Sequence, residues 1–166
     1  MPVPQFGEPG LEGTYPDRPV AFAVLERDGL VAVIEVDRFD RGLVLDLPGG
    51  GIDPGETPAE AAVRECGEEA GLVAILDTEP FVLADHYFLH SDQVVRNSRG
   101  SFFSGRVAGE DPALKIEDDH QLLWLDPVAA LLRLDRDSHA WARRGCDCAR
   151  GRERLAGRHD SANHRR

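Results

Sequence analysis

The 166-residue chain contains no apolar run that approaches the roughly 20 residues needed to cross a membrane. Its first residues, MPVPQFGEPG, lack the basic start and the apolar core of a signal peptide. Cysteine is scarce, and an odd number of three does not indicate a disulfide framework. These absences argue against a membrane protein and against a disulfide-stabilised secreted protein, so we expect a cytoplasmic location.

Positive charge is also scarce over most of the chain. Residues 143–166 contain eight arginines and three acidic residues, and subtracting their net charge of +5 from the total of −11 leaves −16 on the remainder. An acidic body disfavours binding to nucleic acid, because phosphate contacts require Lys and Arg. A small nucleotide remains a possible substrate if a metal ion intervenes, so we expect a small-molecule partner, with no nucleic-acid or membrane partner.

The pattern of residues predicts one domain with flanking segments. Residues 1–18 are rich in Pro and Gly and predict an extended arm, residues 19–142 a folded domain, and residues 143–166 a basic, weakly ordered tail. Strands are predicted at 20–26, 30–37, 43–47, 72–76, 80–89, 101–107 and 121–125. Residues 91–100 are predicted to form a polar loop, and helices are predicted at 58–70, from 127 to about 134 and from 137 through 141. This order predicts an α/β fold, with a mixed β-sheet and helices on its faces.

The helix at 58–70 has clear start and stop signals. Thr57 and Glu60 have the spacing of a capping box, Pro58 occupies the first helical position, and Gly71 provides a C-terminal stop. Small apolar residues recur on one face, which predicts close packing against a sheet. They are Ala59, Ala62, Val63, Cys66 and Ala70.

The same helix carries a cluster of carboxylates. At about 100° per residue, Glu68 and Glu69 lie about 60° and about 40° from Glu65, so the three acids share a face, which is expected opposite the small apolar residues. Arg64 precedes Glu68 at the spacing of an ion pair. A solvated acidic surface is one interpretation. The other is a site for a hard cation such as Mg²⁺ or Mn²⁺, favoured by the absence of interleaved Lys and by the glycine turn that leads to Glu56.

The stretch from Gly50 to Leu72 resembles the Nudix box: Gly, five residues, Glu, seven residues, Arg-Glu-aliphatic-any-Glu-Glu-any-Gly-aliphatic. Cys66 replaces the bulkier aliphatic residue that the family prefers. The matching positions are Gly50, Glu56, Arg64, Glu65, Cys66, Glu68, Glu69, Gly71 and Leu72. The resemblance implies a Nudix-type α/β/α sandwich and hydrolysis of a nucleoside diphosphate linked to another moiety.

The resemblance also implies roles for individual residues. Glu65, Glu68 and Glu69 would hold the metal ion, and one of them, often the acid at the position of Glu65, would act as general base. Glu56 and Arg64 would orient the others. A downstream acid often completes such a site; the candidates are Glu117, Asp118 and Asp119, with Asp118 preferred for its distance from Trp124. Dimers are common among similar proteins, so a homodimer is possible.

The substrate is less well defined by the sequence. Gly49, Gly50 and Gly51 permit close approach of a backbone to a ligand, and we place them in the substrate-binding site. Tyr87 resembles a residue of diadenosine polyphosphate hydrolases in its placement after the box, although an ordinary strand tyrosine is the alternative. A MutT-like nucleoside triphosphate pyrophosphohydrolase is the broadest interpretation. The alternatives are a diadenosine polyphosphate or ADP-sugar hydrolase and, from another class, a non-catalytic nucleotide-sensing domain.

Overall fold

A computed structural model describes residues 2–10 and 15–146. Within these residues the chain forms a mixed sheet of nine strands. The strands are β1 (Gln5–Phe6), β2 (Asp17–Arg27), β3 (Leu30–Arg38), β4 (Gly42–Asp46), β5 (Gly49–Gly51), β6 (Leu72–Leu76), β7 (Val82–Leu89), β8 (Val95–Glu110) and β9 (His120–Leu125). The helices are α1 (Pro58–Ala70), α2 (Pro127–Arg133) and α3, which covers residues 137–146, and a short 3-10 turn spans Pro112–Leu114.

The sheet is organised around a parallel pair, β2 and β8. Its main path runs in the order β1-β7-β8-β2-β3-β4, while β5 pairs with β2, β6 with β8 and β9 with β3. The β1–β7 pair is also parallel, and the other pairs are antiparallel. Asp28 and Gly29 both have positive φ between β2 and β3, as the predicted hairpin turn requires. The predicted mixed sheet is therefore confirmed.

Strand β2 separates the two faces of the sheet by alternation of its side chains. Ala21 and Ala23 lie in clusters with buried residues of α1, whereas Phe22 packs with Ala140 and Ala142 of α3. All the β2 residues from Val20 to Leu25 are almost fully buried. Helices thus cover both faces, in the α/β/α arrangement that the sequence predicts.

Helix α1 has the predicted bounds. The Thr57 N–H donates to Glu60 Oε2 at 2.8 Å, Thr57 Oγ1 accepts from the Glu60 N–H at 3.2 Å, and Gly71 is left-handed with φ of 67°. Ala62 and Cys66 are buried as expected, but Val63 is 37% exposed. The buried stripe is rotated from the predicted one, towards Ala61, because the helix also packs against the glycine strand β5.

Three sequence predictions differ from the structure at their boundaries. Residues 95–100 belong to β8, because their backbone pairs with β7 and β2 although several of their side chains are polar. The N-terminal arm contributes β1 to the sheet through its pairing with β7, and β2 begins at Asp17. Helix α3 extends through residue 146, and Arg143 within it is 2% exposed; the rest of the predicted tail, 147–166, lies outside the described residues.

Candidate active site

Arg64 is the hub of the acidic cluster. Its Nε and Nη2 donate to the two oxygens of Glu56 at 2.8 and 3.1 Å, and Nη1 donates to Glu65 and Glu68 at 3.0 and 3.1 Å. Nη2 also donates to the Gly51 carbonyl at 2.9 Å. One guanidinium therefore links α1, the turn before it and β5, which is the arrangement needed to fix several carboxylates in place.

Glu65 and Glu69 are buried rather than solvated. Their residues are 8% and 6% exposed, because both side chains lie between α1 and β5. The Gly49 N–H donates to Glu69 Oε2 at 3.1 Å. A Cβ at Gly50 would lie 2.7 Å from the Glu65 carboxylate, so this strand must be glycine at that point. The expectation that the acidic face lies opposite the packed face is wrong: it adjoins the packed face, and only Glu68 of the three is half-buried.

Burial and mutual repulsion affect the acid-base properties of both side chains. Burial raises the pKa of Glu69 well above its usual value, and the nearby charges of Glu65 and Glu117 add to this effect. Burial also raises the pKa of Glu65, with Arg64 acting in the opposite direction. Glu56, by contrast, has a lowered pKa because Arg64 donates a hydrogen bond to it. The cluster thus has an excess of negative charge that a bound cation would offset.

Two sets of potential ligand atoms are close enough to share a metal ion. The first comprises Glu65, Glu68 and Glu117, the second Glu69, Glu117 and His120, and within each set all ligand atoms lie within 4.8 Å of one another. Glu117 belongs to both sets. Asp118, preferred from the sequence, belongs to neither and does not line the adjoining cleft, so the geometry favours Glu117 as the downstream acid.

His120 is a site residue that the sequence did not suggest. Its Nε2 lies 3.7 Å from Glu69 Oε1, and its Nδ1 lies 2.9 Å from Glu117 Oε2 and 2.8 Å from Asp119 Oδ1. The feature of the sequence that could have indicated His120 is its position, directly after an acidic loop and at the start of strand β9.

The site opens into a cleft of about 690 Å³. Gly49, Gly50 and Gly51 line this cleft, and their predicted contact with a substrate stays a prediction. Tyr87 does not line it; its ring makes an edge contact with Tyr15, with centroids 5.5 Å apart. Other lining residues that the sequence did not reveal include four arginines, His90, further acids and several apolar residues. They are Arg18, Arg38, Arg96, Arg136, His90, Asp17, Asp53, Asp92, Val20, Phe22 and Ile52.

Within residues 2–10 and 15–146, no helix is both long enough and apolar enough to cross a membrane.

Comparison with known proteins gives a consistent family. The NUDIX domain profile matches residues 16–144. An RNA pyrophosphohydrolase of Gluconobacter oxydans is 35% identical over 137 residues, covering 72% of this chain and 78% of the relative. An RNA pyrophosphohydrolase of Sphingopyxis alaskensis is 33% identical over 117 residues, covering 64% of this chain and 73% of the relative.

Solved structures support the same fold. A NUDIX hydrolase from Nitrosomonas europaea aligns with a TM-score of 0.68 at 19% identity, covering 80% of this chain and 90% of that one. A MutT protein from Methanosarcina mazei Go1 aligns with a TM-score of 0.65 at 17% identity, covering 84% and 99%. At these identities the likeness concerns the fold alone. Together with the profile match and the sequence relatives, the box residues gathered around Arg64 lead to one conclusion: the chain belongs to the Nudix family and is a Nudix pyrophosphohydrolase, a hydrolase of phosphoanhydride bonds.

Proposed function

We propose that this enzyme is a metal-dependent, MutT-like pyrophosphohydrolase of nucleoside triphosphates. The observation that carries the proposal is the convergence of Glu65, Glu69 and Glu117 with the glycine strand on one cleft of about 690 Å³. A cleft of this size can enclose a nucleotide. Its carboxylates alone would repel the phosphates, so binding on this side requires a cation.

The residues present fit a hard divalent cation such as Mg²⁺ or Mn²⁺. The first ligand set contains only carboxylate oxygens, and the second adds a single imidazole nitrogen. Glu65, Glu68, Glu69 and Glu117 would hold the ion. When bound, it would offset the charge of the phosphates and lower the pKa of a water ligand.

The protein's own groups supply the remaining requirements. Arg64 and Glu56 hold Glu65 and Glu68 in position through the hydrogen bonds described above. The Gly49 N–H fixes Glu69 by donating to its Oε2. A carboxylate of this buried pair, Glu65 or Glu69, would accept the proton of the attacking water, since a raised pKa favours proton uptake.

RNA with a 5′-triphosphate is the second candidate substrate. It is favoured by the names of the two sequence relatives, both RNA pyrophosphohydrolases, and by the arginines in the cleft, which the acidic composition had not suggested. The diadenosine polyphosphate alternative rested on Tyr87, which does not line the cleft. The non-catalytic alternative is disfavoured because all the box acids are present and converge.

A substrate panel tests the proposal. Purified protein is incubated with Mg²⁺ and each of the four common nucleoside triphosphates, a 5′-triphosphorylated oligonucleotide, diadenosine tetraphosphate and ADP-ribose, and products are separated by ion-exchange chromatography. We expect pyrophosphate and a nucleoside monophosphate from a triphosphate, and no turnover in EDTA. Failure to hydrolyse any triphosphate would refute the proposal, and turnover undiminished in EDTA would refute its metal dependence.

A further inference from the structure

Four arginines, three from different strands and one from the loop before α3, line the same cleft as the carboxylates. We call Arg18 of β2, Arg38 of β3, Arg96 of β8 and Arg136, immediately before α3, the arginine wall. They lie close enough to influence one another: burial, Arg96 and Arg38 all lower the pKa of Arg18, and burial, Arg38 and Arg18 lower that of Arg136. Electrostatic repulsion between these like charges destabilises the folded protein, and a bound anionic ligand would offset that repulsion.

The positive charge of the wall is only partly neutralised by the protein. Arg38 and Arg136 share one carboxylate, Asp46, at 2.5 and 3.2 Å. Arg96 pairs with Asp92 at 2.6 Å. Within the portion of the chain that the structure describes, Arg18 makes no ion pair; its Nη1 lies 2.9 Å from His90 Nδ1. Of the four guanidinium groups, two therefore share a single carboxylate, one has a carboxylate of its own, and that of Arg18 has no ion-pair partner among the described residues.

Hydrogen-bonding capacity in the wall is also unused. The Nε of Arg38 is buried and donates no hydrogen bond, whereas the Nε of Arg136 already lies 3.2 Å from Asp46 Oδ1. The guanidinium of Arg18 can only donate, so His90 Nδ1 must accept and its proton lies on Nε2, which is buried and unpartnered. Buried donors without partners are uncommon in folded proteins and indicate a missing acceptor.

The wall directly adjoins the carboxylate centre. Strand β5 lies against both: a Cβ at Gly50 would be 2.7 Å from Glu65, and a Cβ at the next residue, Gly51, would be 3.1 Å from Arg18 Nη2. Glu65 also lies close enough to Arg18 for its charge to raise the pKa of Arg18, and both line the same cleft, so a phosphate chain bound at the acids can extend towards the arginines.

We propose that the arginine wall is a binding subsite for the phosphoryl groups of the substrate that the carboxylate centre does not hold. It thereby selects 5′-triphosphates over diphosphates that are esterified to an uncharged group. This inference rests on the proposed function, and it names a specificity determinant for it. If an uncharged sugar lay at the arginine wall, the positive charge and the unpaired donors of the wall would gain no anionic partner. A terminal phosphate would pair with both.

Binding of inorganic tripolyphosphate to the metal-stripped full chain, measured by calorimetry, tests the subsite without catalysis. Arg18→Gln and Arg96→Gln are the variants, because neither side chain is fully buried. Each should weaken binding by roughly tenfold or more, the usual effect of losing a charge-assisted hydrogen bond. Arg106→Gln is the matched control, since Arg106 is an exposed residue of the same strand as Arg96 and does not line the cleft. It should bind like the wild type.

Kinetics with Mg²⁺ complete the test. Both wall variants should raise KM for triphosphates by roughly tenfold while changing KM for ADP-ribose less than about twofold. Separate assays of a nucleoside triphosphate and a 5′-triphosphorylated oligonucleotide show whether the triphosphate bound at the wall belongs to a free nucleotide or to an RNA 5′ end. No tripolyphosphate binding, or equal losses in the control, would overturn the inference. If the wall variants hydrolyse triphosphates as well as the wild type does, the subsite is overturned and the proposed function stands. If tripolyphosphate binding depends on the wall but no triphosphate is hydrolysed, the subsite stands and the proposed function is overturned.

Discussion

Arg64 shows why residue identity matters more than charge in this site. Its guanidinium makes hydrogen bonds to three carboxylates and one carbonyl in different directions. Lysine could supply the charge, but a single ammonium cannot span groups on α1, on β5 and before the helix. Arg64 therefore positions the acids, and the proposed function assigns the chemistry to the acids.

At Glu69, we expect Glu69→Gln to lower turnover by at least roughly a hundredfold. The amide oxygen of Gln can still accept from the Gly49 N–H, so the fold should survive. The negative charge that would bind the metal ion or accept a proton from water is lost. Thermal unfolding should show an unchanged or higher midpoint, because a buried charge has been removed. Glu79→Gln, on an exposed loop, is the control and should keep full activity. Wild-type turnover in Glu69→Gln would show that the residue has been assigned wrongly.

The downstream acid can be identified with a pair of neighbouring variants. Glu117 belongs to both candidate ligand sets and Asp118 to neither, so Glu117→Gln should raise the Mg²⁺ concentration for half-maximal activity by roughly tenfold. Asp118→Asn should behave like the wild type. Direct titration with Mn²⁺, followed by electron paramagnetic resonance, gives the same comparison without turnover. The reverse ranking of the two variants would restore Asp118 as the ligand.

At the scale of elements, α1 could be predicted from sequence because its signals are local. The capping box, Pro58 and Gly71 lie within the helix or next to it, and the observed bounds match. Strand β8 could not be predicted in full, because residues 95–100 are polar and gain their strand structure from pairing with β7 and β2. The burial of Glu65 and Glu69 was missed for a related reason: it depends on β5, which periodicity within α1 does not report.

The N-terminal cap of α1 gives a stability prediction for the element that carries the acids. Thr57→Ala removes the acceptor for the Glu60 N–H and should lower the free energy of unfolding by about 1 kcal/mol. Thr57→Ser should restore most of it, since serine keeps the hydroxyl. Urea unfolding measures both variants. Because Thr57 itself lies outside the cleft lining, kcat/KM at 25 °C should stay within about twofold of the wild type; a large loss would mean that the cap also sets the position of the acids.

At the scale of the whole molecule, the cleft is the feature least accessible from sequence. Arg18, Arg38, Arg96 and Arg136 are spread over more than a hundred residues, and only the parallel pairing of β2 with β8 and the return of α3 bring them together. The net charge of −11 pointed to an acidic surface and concealed this basic group. The family could be recognised from a short stretch, but the substrate-facing side of the site could not.

Three buried or half-buried histidines lead us to expect a loss of stability in mild acid. Burial lowers the pKa of His86 and of His90 to about 4, and it lowers that of His139 well below its usual value. Unfolded histidines titrate near pH 6.5, so from there to about pH 4 the unfolded state binds more protons. The histidine contribution to stability is thus complete above pH 6.5 and declines as pH falls towards 4.

Glu65 and Glu69 have raised pKa values and act in the opposite direction. Their contribution to stability declines as pH rises above about 4.5. Urea unfolding between pH 5 and 7 should therefore show a flatter pH dependence in His86→Gln/His90→Gln than in the wild type; equal slopes would mean that neither histidine is held neutral by the fold.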